Sequence, residues 1–139
     1  MDEAVVLAKL ESLRRCVERI RAKIPASALV LQGDYDLQDI ISVNLERAVQ
    51  TCVDIAAHIL ADHDVPAPES MAAGFAALQK TGYLSEPVAV QLQKAVGFRN
   101  ISVHAYQEID WSIVFSIITE RLPVFSDFAS CIQAKIASS

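Results

Sequence analysis

Apolar residues recur every three or four positions along almost the whole chain of 139 residues. This spacing places side chains on one face of an α-helix, whereas a half-buried β-strand needs an apolar residue at every second position. The first segment shows the repeat at Val6, Leu10, Leu13, Val17, Ile20 and Ile24. Proline at position 25 ends this segment, because it cannot continue the hydrogen-bond ladder of a helix. The pattern predicts an all-α fold.

Proline, glycine and polar clusters divide the pattern into five predicted helices. In chain order we expect a first helix that ends at residue 24, a connector at 25–36, a second long helix at about 37–61, a loop at 62–68, a short helix at about 69–80, a fourth helix at about 86–106 and a last helix from about 111. The chain length favours one domain over residues 1–139. We therefore expect an up-down bundle of four long helices and one short helix.

Single residues mark several of the predicted helix ends. Gly82 is expected to close the short helix, because glycine readily adopts the left-handed conformation that follows a last helical turn. Ser85 and Asp110 are expected to cap the fourth and last helices, since their side chains can accept hydrogen bonds from free backbone N–H groups. Pro123 should kink or split the last helix.

Charge and hydropathy narrow the possible functions. The chain has 12 Lys and Arg against 17 Asp and Glu, a formal net charge of -5, which excludes a protein that binds nucleic acid by bulk positive charge. With 53% hydrophobic residues it is too apolar to be disordered, and we expect part of this surface to be buried in an oligomer. No apolar run reaches the roughly 18 residues of a membrane span, and the acidic start lacks a secretory signal. We expect a soluble, cytoplasmic protein.

The sequence contains no recognised metal-binding or phosphate-loop motif. The histidines at positions 58, 63 and 104 have neither H-E-x-x-H nor C-x-x-C neighbours, and Asp54 with His58 is at most half of a metal site. Four scattered glycines cannot build a phosphate-binding loop. We therefore expect neither a metal nor a cofactor. Half of the basic residues lie on the first helix, where they form either a solvated face or a track for phosphates.

Residues 97–106 differ from the rest of the chain. Arg99, Asn100, His104 and Tyr106 fall on about half of the circumference of a helix that turns about 100° per residue, with Tyr106 within about 20° of Arg99. Upstream apolar residues project toward the Arg99 side, so the apolar stripe changes face where the polar group begins. We therefore expect a helix that is packed on two faces, with a polar cleft near its C-terminal end.

These residue types suit the cleavage of RNA without a metal ion. Arg99 can hold a phosphate through two hydrogen bonds, His104 can move a proton near neutral pH, and Asn100 could orient the imidazole. One histidine cannot easily act as both acid and base, whereas a two-fold dimer would bring two copies of each side chain to one axis. The alternative is a structural helix end that pairs with carboxylates such as Glu108.

The pattern Arg99-Asn100-x3-His104-x-Tyr106 resembles the Arg-x4-His-x-Tyr signature of the HepT toxins, within the HEPN superfamily of helical-bundle ribonucleases. Stretches at 37–39, 44–48, 54–58 and 97–108 also fit the family, so the resemblance covers most of the chain. It implies a homodimeric, metal-independent endoribonuclease that is the toxin of a toxin–antitoxin pair, with transfer RNA or messenger RNA as substrate. It further implies Arg99 and His104 as catalytic residues and Asn100 as a supporting residue.

The resemblance also implies a partner. In the family, the minimal nucleotidyltransferase MntA is the antitoxin and silences the toxin by transferring AMP from ATP to the motif tyrosine, which corresponds to Tyr106. Two other functions stay open: a catalytically idle helical module that docks and positions a nucleotidyltransferase, and a HEPN bundle that binds nucleotide phosphates without cleaving RNA. An intact Arg99 and His104 argue against the first of these.

Overall fold

The computed structural model describes residues 1–138, which are helical with no β-strand in that range. The helices are α1 (Glu3–Arg21), α2 (Ala28–Gly33), α3 (Tyr35–Leu60), α4 (Met71–Lys80), α5 (Glu86–His104), α6 (Trp111–Ser116) and α7 (Pro123–Ala137). A 3₁₀ turn at Tyr106–Glu108 follows α5, and a π-helical turn at Ile117–Arg121 joins α6 to α7. The all-α bundle with four long helices is confirmed. None of the helices in residues 1–138 is long and apolar enough to span a bilayer.

Polar side chains cap several of these helices, and of the two caps predicted from the sequence Asp110 is confirmed. Asp34 accepts a hydrogen bond from the backbone N–H of Leu37 at 3.0 Å and starts α3, and Asp110 accepts one from Ser112 at 2.9 Å and starts α6. Gly82 adopts the expected left-handed conformation after α4, with φ +89°. Ser85 precedes α5, but its side chain makes no capping hydrogen bond.

A continuous apolar core lies between α1, α3, α4, α5 and α7. α1 lies along α3 through the predicted repeat, of which Val6 and Ile20 are fully buried. Phe75 of α4 and Phe128 of α7 meet edge to face, with ring centroids 6.3 Å apart. This core fixes α3 and α5 as neighbours, and two of the candidate residues, Arg99 and Tyr106, contact α3.

The predicted connector at 25–36 contains a helix, α2, which was not predicted from the sequence. Ser27 caps it, Leu31 is fully buried, and the buried Gln38 side chain donates to the backbone oxygens of Leu31 and Gln32. A helix of six residues is too short to show a repeat in the sequence. The last predicted helix is split, as expected, just before Pro123.

The fourth helix ends at His104, earlier than predicted. Ala105 has φ -146° and ψ 53°, which is outside the helical region, so Tyr106 belongs to the following 3₁₀ turn. The expectation that the helix extends to Tyr106 is therefore wrong, although Tyr106, like Arg99, faces α3.

Candidate functional site

Three side-chain hydrogen bonds connect the C-terminal half of α5 and the following turn to α3. Arg99 Nη2 donates to Gln50 Oε1 at 3.1 Å, Ser102 Oγ donates to Glu46 Oε1, and Tyr106 Oη donates to Asp39 Oδ1 at 2.8 Å. As the residue numbers on α5 and its turn rise from 99 to 106, the numbers of their partners on α3 fall from 50 to 39. The two segments therefore run antiparallel. We call these three pairs the α3–α5 seam.

The α3 residues of the seam share one face of their helix. Asp39, Glu46 and Gln50 are spaced by seven and four residues, the spacing that aligns side chains along a helix. The opposite side of α3 is apolar and buried in the core. None of these three residues was predicted as a site residue from the sequence, although a polar row at this spacing on a mainly apolar helix is a signal that could have identified them.

Arg99 is held by neutral oxygen atoms. Its Nη2 donates a hydrogen bond to the Gln50 amide oxygen, and its Nη1 donates one to Asn100 Oδ1 at 3.3 Å. Gln50 Nε2 in turn donates to Asp54 Oδ1 at 2.9 Å. Within residues 1–138 no carboxylate forms an ion pair with Arg99. The guanidinium therefore keeps its full charge and further N–H donors for an anion.

His104 is the last residue of α5, and its side chain is exposed. Throughout the described chain no residue forms a hydrogen bond or ion pair with its ring. The expected contact with Asn100 is not made, because the Asn100 amide oxygen accepts from Arg99 instead. The alternative pairing of Arg99 and His104 with Glu108 is also not formed in residues 1–138. The His104 imidazole is therefore accessible to a ligand.

Arg99 and His104 point to different sides of α5. Five residues on a helix correspond to a rotation of about 140° and a rise of about 7.5 Å. Arg99 accordingly faces α3, whereas His104 faces solvent. The side chains of one chain therefore do not converge on a single point.

Tyr106 is positioned by its ring and by its hydroxyl. The ring meets Trp111 edge-on, with centroids 5.8 Å apart, and the hydroxyl donates to Asp39. Partial burial raises the pKa of the Tyr106 phenol, and the bond to Asp39 raises it further. The residue is still 38% exposed, so a large partner can reach it.

The Tyr106 hydroxyl does not lie beside the Arg99 guanidinium, contrary to expectation. Their anchors on α3, Asp39 and Gln50, are eleven residues apart, which corresponds to about 16 Å along the helix axis. The prediction assumed that α5 continues through Tyr106, whereas the chain leaves the helix at Ala105.

A groove of about 480 Å³ opens on the side of α5 that faces α6 and the π-helical turn. Its walls are mainly apolar and include Phe98, Ile101, Ile113 and Ile117. Ile101 is 45% and Ile113 58% exposed. The second apolar face of this helix, which the sequence predicts, is therefore present, but within one chain it is open to solvent.

The other polar candidates have partners within the chain. His58 Nε2 accepts a hydrogen bond from the backbone N–H of Asp2 at 3.1 Å, and Asp54 binds Gln50 rather than His58. In residues 1–138 no three His, Cys, Asp or Glu side chains are placed to hold a metal ion. On α1, Arg14 pairs with Glu11, as in a solvated helix face.

The chain and its fold are similar to known toxins. The family model "Ribonuclease HepT-like" matches residues 13–132. The sequence is 32% identical to the mRNA nuclease HepT of Shewanella oneidensis over 131 residues, which are 94% of this chain and 98% of that protein.

Two solved structures have a similar fold. One is a toxin–antitoxin complex with AMP-PNP, with a TM-score of 0.88 and 31% identity over 94% of this chain and 98% of that one. The other is the tri-AMPylated HEPN toxin of S. oneidensis in complex with the MNT antitoxin, with a TM-score of 0.87 and 32% identity over 96% and 99% of the two chains. Together with the family match, which includes Arg99, His104 and Tyr106, these similarities show that the chain belongs to the HepT-like ribonuclease family.

Proposed function

We propose that this protein is a cytoplasmic endoribonuclease, the toxin of a toxin–antitoxin pair, in which Arg99 and His104 cleave RNA and Asn100 supports Arg99. The observation that carries this proposal is the state of Arg99. Two carboxylates, Glu46 and Asp54, lie one turn to either side of Gln50, yet the guanidinium binds only amide oxygens in residues 1–138. A purely structural arginine would gain more from an ion pair.

The proposed reaction uses the 2′-hydroxyl of RNA as nucleophile. A His104 imidazole takes the proton of that hydroxyl, and the oxygen attacks the adjacent phosphorus. The bond to the 5′-oxygen breaks, and the leaving oxygen receives a proton from a second His104 imidazole, which another copy of the chain supplies. Arg99 stabilises the negative charge on the five-coordinate phosphorus. The products are a 2′,3′-cyclic phosphate and a 5′-hydroxyl, and no step needs a metal ion. We propose messenger RNA as the first substrate to test, because the S. oneidensis relative is an mRNA nuclease.

We propose that two copies of the chain complete this site. Arg99 and His104 diverge by about 140° within one chain, so a second copy can supply the missing side chain or the second imidazole. The apolar groove at Phe98, Ile101 and Ile113 adjoins the motif on α5 and is suited to burial against that copy. A two-fold interface repeats the same residues on both sides of its axis.

We propose that a nucleotidyltransferase antitoxin of the MntA type silences the protein by attaching AMP to Tyr106. The S. oneidensis HEPN toxin with a similar fold is AMPylated and bound to the MNT antitoxin. An AMP group removes the hydroxyl proton that bonds Asp39 and adds a negative phosphate beside that carboxylate. Repulsion should drive the modified side chain out of its position and place its charge where it repels incoming RNA.

Growth after induced expression tests the proposed function. Without the antitoxin, the wild-type chain should arrest growth of a bacterial host, whereas Arg99→Ala and His104→Ala should not. Lys80→Ala, which removes an exposed cation on α4 away from the motif, is the matched control and should be as toxic as wild type. Equal growth of all four strains at equal protein levels would contradict a toxin function.

A further inference from the structure

The Tyr106 hydroxyl already has a proton acceptor within its own chain. Tyr106 Oη donates to Asp39 Oδ1 at 2.8 Å, and the edge-on contact with Trp111 fixes the ring that carries the hydroxyl. Asp39 is itself exposed and is not part of an ion pair in residues 1–138. Its free carboxylate is therefore available both to the phenol and to water.

We propose that Asp39 is the general base that accepts the proton of Tyr106 when AMP is transferred to this tyrosine. This inference rests on the proposed modification of Tyr106. In the step, Tyr106 Oη attacks the α-phosphorus of ATP and forms a new O–P bond. The bond from that phosphorus to the oxygen bridging to the β-phosphorus breaks, and pyrophosphate leaves. The hydroxyl proton passes to Asp39 and then to solvent. An aspartate that accepts a hydroxyl proton is also the solution used by protein kinases.

The surroundings of the phenol explain why a base is needed. Burial and the acidic neighbours Asp39 and Glu46 raise the pKa of Tyr106, while Ser42 acts in the opposite direction. The phenol is thus protonated at neutral pH, and its oxygen is a poor nucleophile until the proton leaves. A carboxylate at hydrogen-bond distance can take the proton as the O–P bond forms.

Asp39→Asn tests this role because it keeps the shape and an oxygen acceptor but cannot take the proton. The purified chain is mixed with excess antitoxin, ATP and Mg²⁺, and the increase in intact mass by AMP units is followed in a single turnover. We expect transfer to Asp39→Asn to be about 100-fold slower than to wild type at neutral pH. Asp36→Asn, which removes an exposed carboxylate one turn away on α3, should react like wild type. Tyr106→Phe should gain no AMP.

The pH dependence separates a base from a structural contact. Transfer to wild type should change little between about pH 6 and 8, because a base at hydrogen-bond distance takes the proton and no prior ionisation of the phenol is needed. Transfer to Asp39→Asn should rise about tenfold per pH unit, because it must wait for spontaneous ionisation of the phenol. If Asp39 only disfavours the phenolate, its removal lowers the pKa of Tyr106 and speeds transfer instead.

Further measurements distinguish a failure of the role of Asp39 from a failure of the proposed modification. Asp39→Asn should unfold at the same temperature as wild type, which shows that it is folded, and Asp39→Glu should recover part of the transfer rate. Equal or faster transfer to Asp39→Asn would overturn the role of Asp39 and leave the modification intact. Absence of any AMP on wild type would instead overturn the proposed modification, and the inference with it.

Discussion

At the residue scale, Gln50 determines how much positive charge Arg99 can offer to a phosphate. Its amide oxygen accepts from the guanidinium and its amide nitrogen is fixed by Asp54. The amide thus positions Arg99 without neutralising it. An acid at the same position would hold the side chain more tightly but would compete with the substrate phosphate for it.

Gln50→Glu should therefore lower RNA cleavage by about tenfold or more. Its effect on stability should be small, because the new ion pair with Arg99 is offset by the lost hydrogen bond to Asp54 and by repulsion from that exposed carboxylate. Single-turnover cleavage measures the effect, and the loss should shrink when the assay pH falls toward the pKa of the new carboxyl. Gln133→Glu makes the same change on the exposed face of α7 and serves as control. Unchanged cleavage by Gln50→Glu would show that the charge of Arg99 is not used.

The motif residues can be predicted from the sequence, whereas their pairing with partners on α3 cannot. Arg99, His104 and Tyr106 lie within eight consecutive residues, so their spacing is enough to single them out. Gln50 and Asp39 lie 49 and 67 residues from the side chains they bind. Their roles depend on the register between α3 and α5, which is set by core packing and not by any local signal.

At the element scale, the helix ends and the shortest helices differ most from the predictions. Neither Ala105 nor Tyr106 is a helix breaker by propensity, so the sequence predicts that α5 continues to Tyr106. The chain instead leaves the helix at Ala105, and Tyr106 then contacts Trp111 and Asp39. Tertiary contacts here override a weak local preference.

The helix α2 offers a matched pair of leucines for testing how it is anchored. Leu31 is fully buried, whereas Leu29 is 77% exposed on the same helix. Leu31→Ala should lower the free energy of unfolding by about 2–4 kcal/mol through lost burial and a residual cavity. Leu29→Ala should change it by less than about 0.5 kcal/mol. Urea unfolding measures both, and equal effects would contradict the packing of α2 on the core.

At the scale of the whole molecule, the periodicity predicted the bundle well because helix packing follows from local apolar faces. The sequence also predicts the second apolar face of α5, but it does not show what covers this face, which lines an open groove in the single chain. Arg99 and His104 also diverge within one chain. A second copy of the chain in the active form would cover the groove and supply the side chain that one chain cannot bring to Arg99.

Ile113→Asp should test this assembly, because Ile113 is an exposed apolar wall of the groove. Burying an unpaired carboxylate in a dimer interface is costly, so the variant should sediment as a monomer and lose RNA cleavage together with the dimer. Leu7→Asp changes an exposed apolar residue of α1 and should remain dimeric and active. A wild-type chain that is monomeric at micromolar concentration but active would contradict the two-copy site.

Cleavage of RNA in the presence of EDTA tests the central claim most directly. Wild type should cut RNA without a divalent ion and leave 2′,3′-cyclic phosphate and 5′-hydroxyl ends, which mass spectrometry of the fragments identifies. Arg99→Ala and His104→Ala should each be slower by about 100-fold or more. Activity that disappears with EDTA and returns with a divalent ion, or variants that cleave at the wild-type rate, would contradict the account.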